Sequence, residues 1–180
     1  MKKLTLIAVS LFLGYISVAQ SLKVPAASPA QTVKQDFGLS SVEINYSRPG
    51  VKNRVIFGDI VPYNVVWRTG ANAATTITFG DTVMVGGVKV SPGKYGLLSV
   101  PGEKEWSIII SRSTSVTSPD AYKQEDDVVR YKTVPIALST KVETFTIQLD
   151  KVKPASCELQ LMWDKTMVVL LIATDIDTRI

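Results

Sequence analysis

Apolar and polar residues alternate with a period close to two over most of the chain beyond residue 31. In "ATTITFG" Ile77 and Phe79 share a face, and in "TVMVGGVKV" Val83 and Val85 answer Val88 and Val90 across Gly86 and Gly87. Two short alternating runs joined by a Gly-Gly pair predict a β-hairpin. "GKYGLLSVPG" and "EWSIIISRS" form the next predicted pair, turning around Pro101 and Gly102, with Trp106, Ile108 and Ile110 pointing one way. "DVVRYKTVPIAL", "ETFTIQLD", "CELQLMWD" and "TMVVLLIATD" follow as four later strands. The run from Met167 to Ala173 is apolar in both phases, which predicts a central strand covered on each side; a helix segment is the runner-up, disfavoured by the two valines and the short length. Trp106 and Trp163 fall on the apolar phase of their strands and are expected in the core.

No segment after the N-terminus shows a helical period of useful length. "SPDAYKQEDD" is the candidate for a short helix or an irregular turn, with Ser118, Pro119 and Asp120 resembling a capped helix start. The expectation is an all-β fold: an antiparallel β-sandwich of roughly nine or ten strands with at most one short helix, forming a single domain over residues 32–180. Residues 20–31, "QSLKVPAASPAQ", read as a linker or extended arm. At the N-terminus Lys2 and Lys3 precede an apolar run from Leu4 to Ile16 and the small residues Ser17 and Ala19. That order predicts a signal peptide over residues 1–19, cleaved between Ala19 and Gln20, and a secreted or periplasmic product that does not span the membrane. No Cys follows the apolar run, so attachment as a lipoprotein is not expected.

Charge and composition narrow the chemistry. Without Lys2 and Lys3 the formal charge falls from +4 to +2, and no dense basic run offers a footprint for nucleic acid. The single cysteine, Cys157, lies in an alternating apolar run and is expected to be a buried thiol. The chain contains no histidine. A serine or cysteine nucleophile therefore lacks its usual base, and common zinc sites lack their usual ligand.

"YSRPGVKNRVIFGDIVPYNVVWRTGANAATTITF", "VGGVKVSPGKYGLLSVPGEKEWSIIIS", "YKQEDDVVR" and "VETFTIQLD" together resemble the secreted bacterial family catalogued as domain of unknown function 2911 (DUF2911). The resemblance runs from about Ser28 to Ala173. It rests on Arg48 and Pro49, Arg54, "WRTGAN", Gly93 and Tyr95, Pro101 and Trp106, and Asp127 with Arg130. The chain departs from the family pattern just before Trp67, and again at Ala73, where Glu is common. An acidic role at position 73 is therefore not carried over. The resemblance implies export and a β-rich fold in a bacterial envelope, and it implies no activity.

The residues suggest one binding constellation. Arg48, Arg54 and Arg68 with Asn72 could present planar donor forks to an anionic small molecule or sugar acid, with Trp67 as a stacking face. The alternative is structural: Glu125, Asp126 and Asp127, followed by Arg130, form an acidic cluster that could fold over the corner and pair with its arginines. Neither "EDD" nor any other stretch has the spacing of a calcium loop, and no metal or cofactor is expected. Glu43, Glu105 and Glu143 stand in or beside strands with no paired context, which leaves a histidine-free hydrolase of periplasmic small molecules or glycans as a rival reading. A structural interaction module, using an exposed edge strand or the apolar strand near Leu170, is the third. Oligomeric state is not legible.

Overall fold

The computed structural model describes residues 24–174; the expected signal peptide lies outside them. Ten strands form two antiparallel sheets. In chain order they are β1 (Ala30–Phe37), β2 (Ser40–Ser47), β3 (Thr76–Phe79), β4 (Val83–Val85) and β5 (Val88–Val90). β6 (Gly93–Val100), β7 (Trp106–Ser111), β8 (Asp127–Thr133), β9 (Ile136–Lys153) and β10 (Ser156–Ala173) follow. The larger sheet has the order β1-β2-β3-β6-β7-β8 and the smaller one β5-β4-β10-β9.

The two-residue period explains the layering. Ile44, Ile77, Phe79, Leu97, Ile108 and Ile110 leave the larger sheet on one face and meet Phe145, Ile147, Leu159, Trp163 and Leu170 of the smaller one, all buried. Trp106 belongs to the same core. β6 and β7 are buried on their other face too. Leu98 and Ile109 point away from the main core into a second cluster with Val116, covered by Val66 and Tyr122. The outer face of the larger sheet is thus covered by parts of two loops, through Val66 from the first and Val116 and Tyr122 from the second, and the candidate site lies there.

The Gly-Gly hairpin forms as expected between β4 and β5, with Gly86 at φ +55° and Gly87 at φ +84°, the paired positive angles of a tight turn whose twist matches its strands. Four other expectations are corrected or narrowed. "DVVRYKTVPIAL" is not one strand: β8 ends at Thr133 and β9 begins at Ile136 in the other sheet. Pro135 between them has no N–H for a ladder. "CELQLMWD" and "TMVVLLIATD" are not two strands but the single β10, which passes through Asp164 at φ +52° by shifting register, a bulge rather than a turn. The run 167–173 is not covered on both sides. Val168, Leu170 and Ile172 are buried, but Leu171 is 53% exposed, so β10 is central between β4 and β9 with its outer face open there. The short helix reduces to two 3-10 turns, Pro119–Ala121 and Gln124–Asp126, and Ser118 makes no side-chain cap.

Candidate functional site

The site is best built from its arginines. β9 is an outer strand, and such a strand presents unpaired N–H and C=O groups. The stretch Tyr46–Val51 covers them as a strap. Phe145 N–H donates to Pro49 O (2.9 Å) and Val51 N–H to Glu143 O (2.7 Å). The Tyr46 hydroxyl accepts from Ile147 N–H (2.9 Å) and donates to Gln31 Oε1 (2.8 Å). Burial raises the Tyr46 phenol above its ordinary range, which keeps it neutral and able to donate. Arg48 completes the strap: Nε donates to Phe145 O (3.0 Å) and Nη2 to Thr146 Oγ1 (2.9 Å). Arg54 closes the strap's own turn through Val51 O (3.1 Å) and Gly50 O (2.8 Å). Both side chains thus direct donors at backbone carbonyls.

"WRTGAN" is held differently. Trp67 pairs its backbone with Ser99 of β6 in both directions (2.7 and 3.0 Å). Its ring stacks on Trp163 (5.7 Å between centroids, 14° between planes) and meets Phe145 edge-on at 5.0 Å. Its indole N–H donates to Gly70 O (3.0 Å). Thr69 is fully buried at φ +56°, a region that a β-branched residue rarely enters. It is locked there, its hydroxyl bonded with Ser99 Oγ (2.9 Å) and its carbonyl accepting from Thr75 Oγ1 (2.8 Å). Gly70 sits at φ +153°, where an added Cβ would stand 2.9 Å from Thr75 Oγ1 and 3.0 Å from Ser47 O. Asn72, at φ +58°, donates through Nδ2 to Ser28 O (3.0 Å). Arg68 gives one donor, from Nη1, to Asn72 O (2.9 Å). Among the described residues its other donors have no partner.

The acidic segment keeps largely to itself. Asp127 Oδ2 accepts from Arg130 Nε (3.0 Å) and from the Tyr122 hydroxyl (2.8 Å). Arg130 Nη2 also donates to the Tyr122 hydroxyl, and its guanidinium lies over the Tyr122 ring at 5.9 Å. Asp127 Oδ1 is buried without a partner among the described residues. Burial, with Asp127 next, raises the Tyr122 phenol above its ordinary range. Arg112 donates to Glu125 O (3.3 Å) and, through its backbone, to Asp126 O (2.8 Å). No ion pair among the described residues joins Arg48, Arg54 or Arg68 to Glu125, Asp126, Asp127 or any other carboxylate.

The two loops do meet through apolar side chains. Residues from Ile60 to Arg68 form one wall, and Thr117–Pro119 the other, of a cleft of about 210 Å³ on the outer face of the larger sheet. Val66 forms part of its floor and packs on Leu98, Ile109 and Val116 below. Ile60 is 46% exposed at the mouth. Two further clefts, one beside Asn45 and Ala73 and one between Met84, Tyr131 and Leu171, have no charged side chain in their lining.

The remaining candidates are engaged singly. Glu43 accepts from Asn45 Nδ2 (3.0 Å), Glu105 pairs with Lys132 (2.7 Å) and Glu143 with Lys141 (3.2 Å). The Lys52 N–H, with Lys141 beside it, holds the exposed Glu143 carboxyl below its usual range. Among the described residues no three carboxylate or thiol groups gather as a metal site. Burial pushes the Cys157 thiol up to about 11, so it is inert at neutral pH.

Sequence reasoning found Trp67 and Arg68 but missed the rest of the cleft. The available signal was the stretch "DIVPYNVV", where Ile60, Val61, Val65 and Val66 crowd around Pro62 without the two-residue period of a strand.

Taken together, the fold is an all-β sandwich with a loop-built lid over one sheet and a cleft carrying a single cation. The chain belongs to the family described as protein of unknown function DUF2911, whose model matches residues 28–172. No curated protein and no solved structure matches it.

Proposed function

We propose that this chain is a binding protein of the bacterial envelope, and that its site is the cleft between Ile60–Arg68 and Thr117–Pro119. One observation carries the reading. Arg68 is half-buried at the wall of an apolar cleft with no carboxylate partner among the described residues and one bond, to Asn72 O. A cation left in that setting is a poor use of a side chain for stability and a good one for ligand capture. The strained backbone at Thr69 supports it, because strain concentrates where a neighbouring group must be held in place.

The experiment is a thermal-shift screen of small organic ligands, repeated on Arg68→Ala and on Val65→Trp, which fills the cleft. The expected result is a ligand whose stabilisation disappears in both variants while their far-UV circular dichroism is unchanged. A ligand that stabilises all three proteins equally, or a broad screen with no shift, rejects the reading. Export is the other part of the proposal. It predicts that the purified envelope protein begins at Gln20, which N-terminal sequencing reads directly.

A further inference from the structure

The walls of the cleft also select the chemistry of its occupant, a step that rests on the binding reading above. We infer that the ligand is a small apolar carboxylic acid, with an aromatic or branched body against Ile60, Val65 and Val66 and its carboxylate on Arg68.

Three properties of the cleft lead there. Apart from Arg68, Thr117 and Ser118, every lining residue is apolar. A sugar acid has a hydroxyl on nearly every carbon, and most of these would lose water against valine and proline without gaining a partner. The sequence alone admitted a sugar acid; the apolar walls do not. The volume of about 210 Å³ is the second property. It lies below the ~300–1,000 Å³ of larger ligand sites, which favours a small ligand over a nucleotide or an oligosaccharide. The third is charge. Arg68 is the only charged residue in the lining, and most of its donor fork is free among the described residues. A planar carboxylate matches that fork with two parallel bonds and one balancing charge. A dianionic phosphate would bring a second charge with no cation to meet it. Val66 supplies an apolar floor that is held in place, because it packs on Leu98, Ile109 and Val116.

The test is a matched series measured by calorimetry on the purified protein: phenylacetate, phenylacetamide and phenethylamine, the branched acid isovalerate, and glucuronate. Phenylacetate is expected to bind about ten-fold or more tightly than phenylacetamide, with phenethylamine and glucuronate weaker still. Arg68→Gln should weaken phenylacetate binding about ten-fold or more and so remove the preference for acid over amide, and Arg68→Lys should restore part of it. If acid and amide bind equally, if Arg68→Gln leaves the preference in place, or if glucuronate binds best, the assignment of ligand class is overturned while the cleft still binds. The same follows if none of the series binds but another ligand from the screen does so in a manner blocked by Val65→Trp. If nothing binds at the cleft, the binding reading fails and this inference with it.

Discussion

Arg48 offers the sharpest test of how the corner is built, because a guanidinium that serves the backbone and one that serves a ligand respond to mutation differently. In Arg48→Met the alkyl stem remains, but Phe145 O loses its Nε donor and Thr146 Oγ1 loses Nη2. Phe145 lies 1% exposed against the core, so water does not readily replace the lost donor. A hydrogen bond to a charged group is worth about 1.5–3 kcal/mol, and the Thr146 hydroxyl keeps its own bond to Thr144 O (2.9 Å). The expected cost is therefore about 2–3 kcal/mol, a large share of the ~5–15 kcal/mol that holds a typical domain together. Arg48→Lys should recover roughly half, since an ammonium reaches one acceptor and not both. Arg54→Met, whose side chain is itself exposed and bonds only within its own turn, should cost less than about 1 kcal/mol. Urea denaturation reads all three as midpoint shifts at constant slope. A loss below about 0.5 kcal/mol in Arg48→Met would show that the strap does not depend on its arginine and would return that side chain to the list of ligand contacts.

Gly70→Ala should cost at least about 2 kcal/mol, because the new Cβ meets Thr75 Oγ1 and Ser47 O while the backbone stays at φ +153°; an unchanged melting temperature would refute the close packing of the corner. Tyr122→Phe should cost about 1 kcal/mol in urea, since Asp127 loses a donor at Oδ2 when Oδ1 already has none; a gain in stability would contradict the network. Cys157 gives a pH prediction. Its thiol shifts from 9.0 unfolded to about 11 folded, so the stability it contributes is whole below pH 9 and is lost as pH climbs through about 11. Two pKa units amount to about 2.7 kcal/mol. Cys157→Ala should therefore show a shallower alkaline decline than the parent by about that amount, and parallel curves would sink the assignment.

Local patterning was readable wherever a rule is local. The Gly86–Gly87 turn, the buried faces of β3 and β7, the buried Cys157 and the need for glycine at Gly70 all follow from a few neighbouring residues. What was not readable is what covers a face. The period of two places Leu171 opposite Leu170 but says nothing of whether a layer lies above it, and among the described residues none does. Asp164 looked like a stop between strands because a polar residue at positive φ suits a turn as well as a bulge, and the β9 partner decides between them. The role of Arg48 depends on a carbonyl and a hydroxyl 97 and 98 positions away, and the cleft on two loops about fifty residues apart. Arg130 with Asp127, three positions apart, was an ionic pairing near enough in sequence to suggest itself.

The strap over β9 has a consequence for the order of assembly. Its residues leave the ribosome about a hundred positions before the strand they cover, and until that strand arrives Tyr46 and Arg48 have nothing to cap. In the opposite case, with β9 in place and the strap lifted, "ETFTIQL" would present a bare hydrogen-bonding rim on a strand rich in β-formers, a template for pairing with a neighbouring molecule. The amide of Phe145, which the strap shields, is thus a sensor of this opening: its hydrogen-exchange rate reports how often the sandwich stands ready to join another chain.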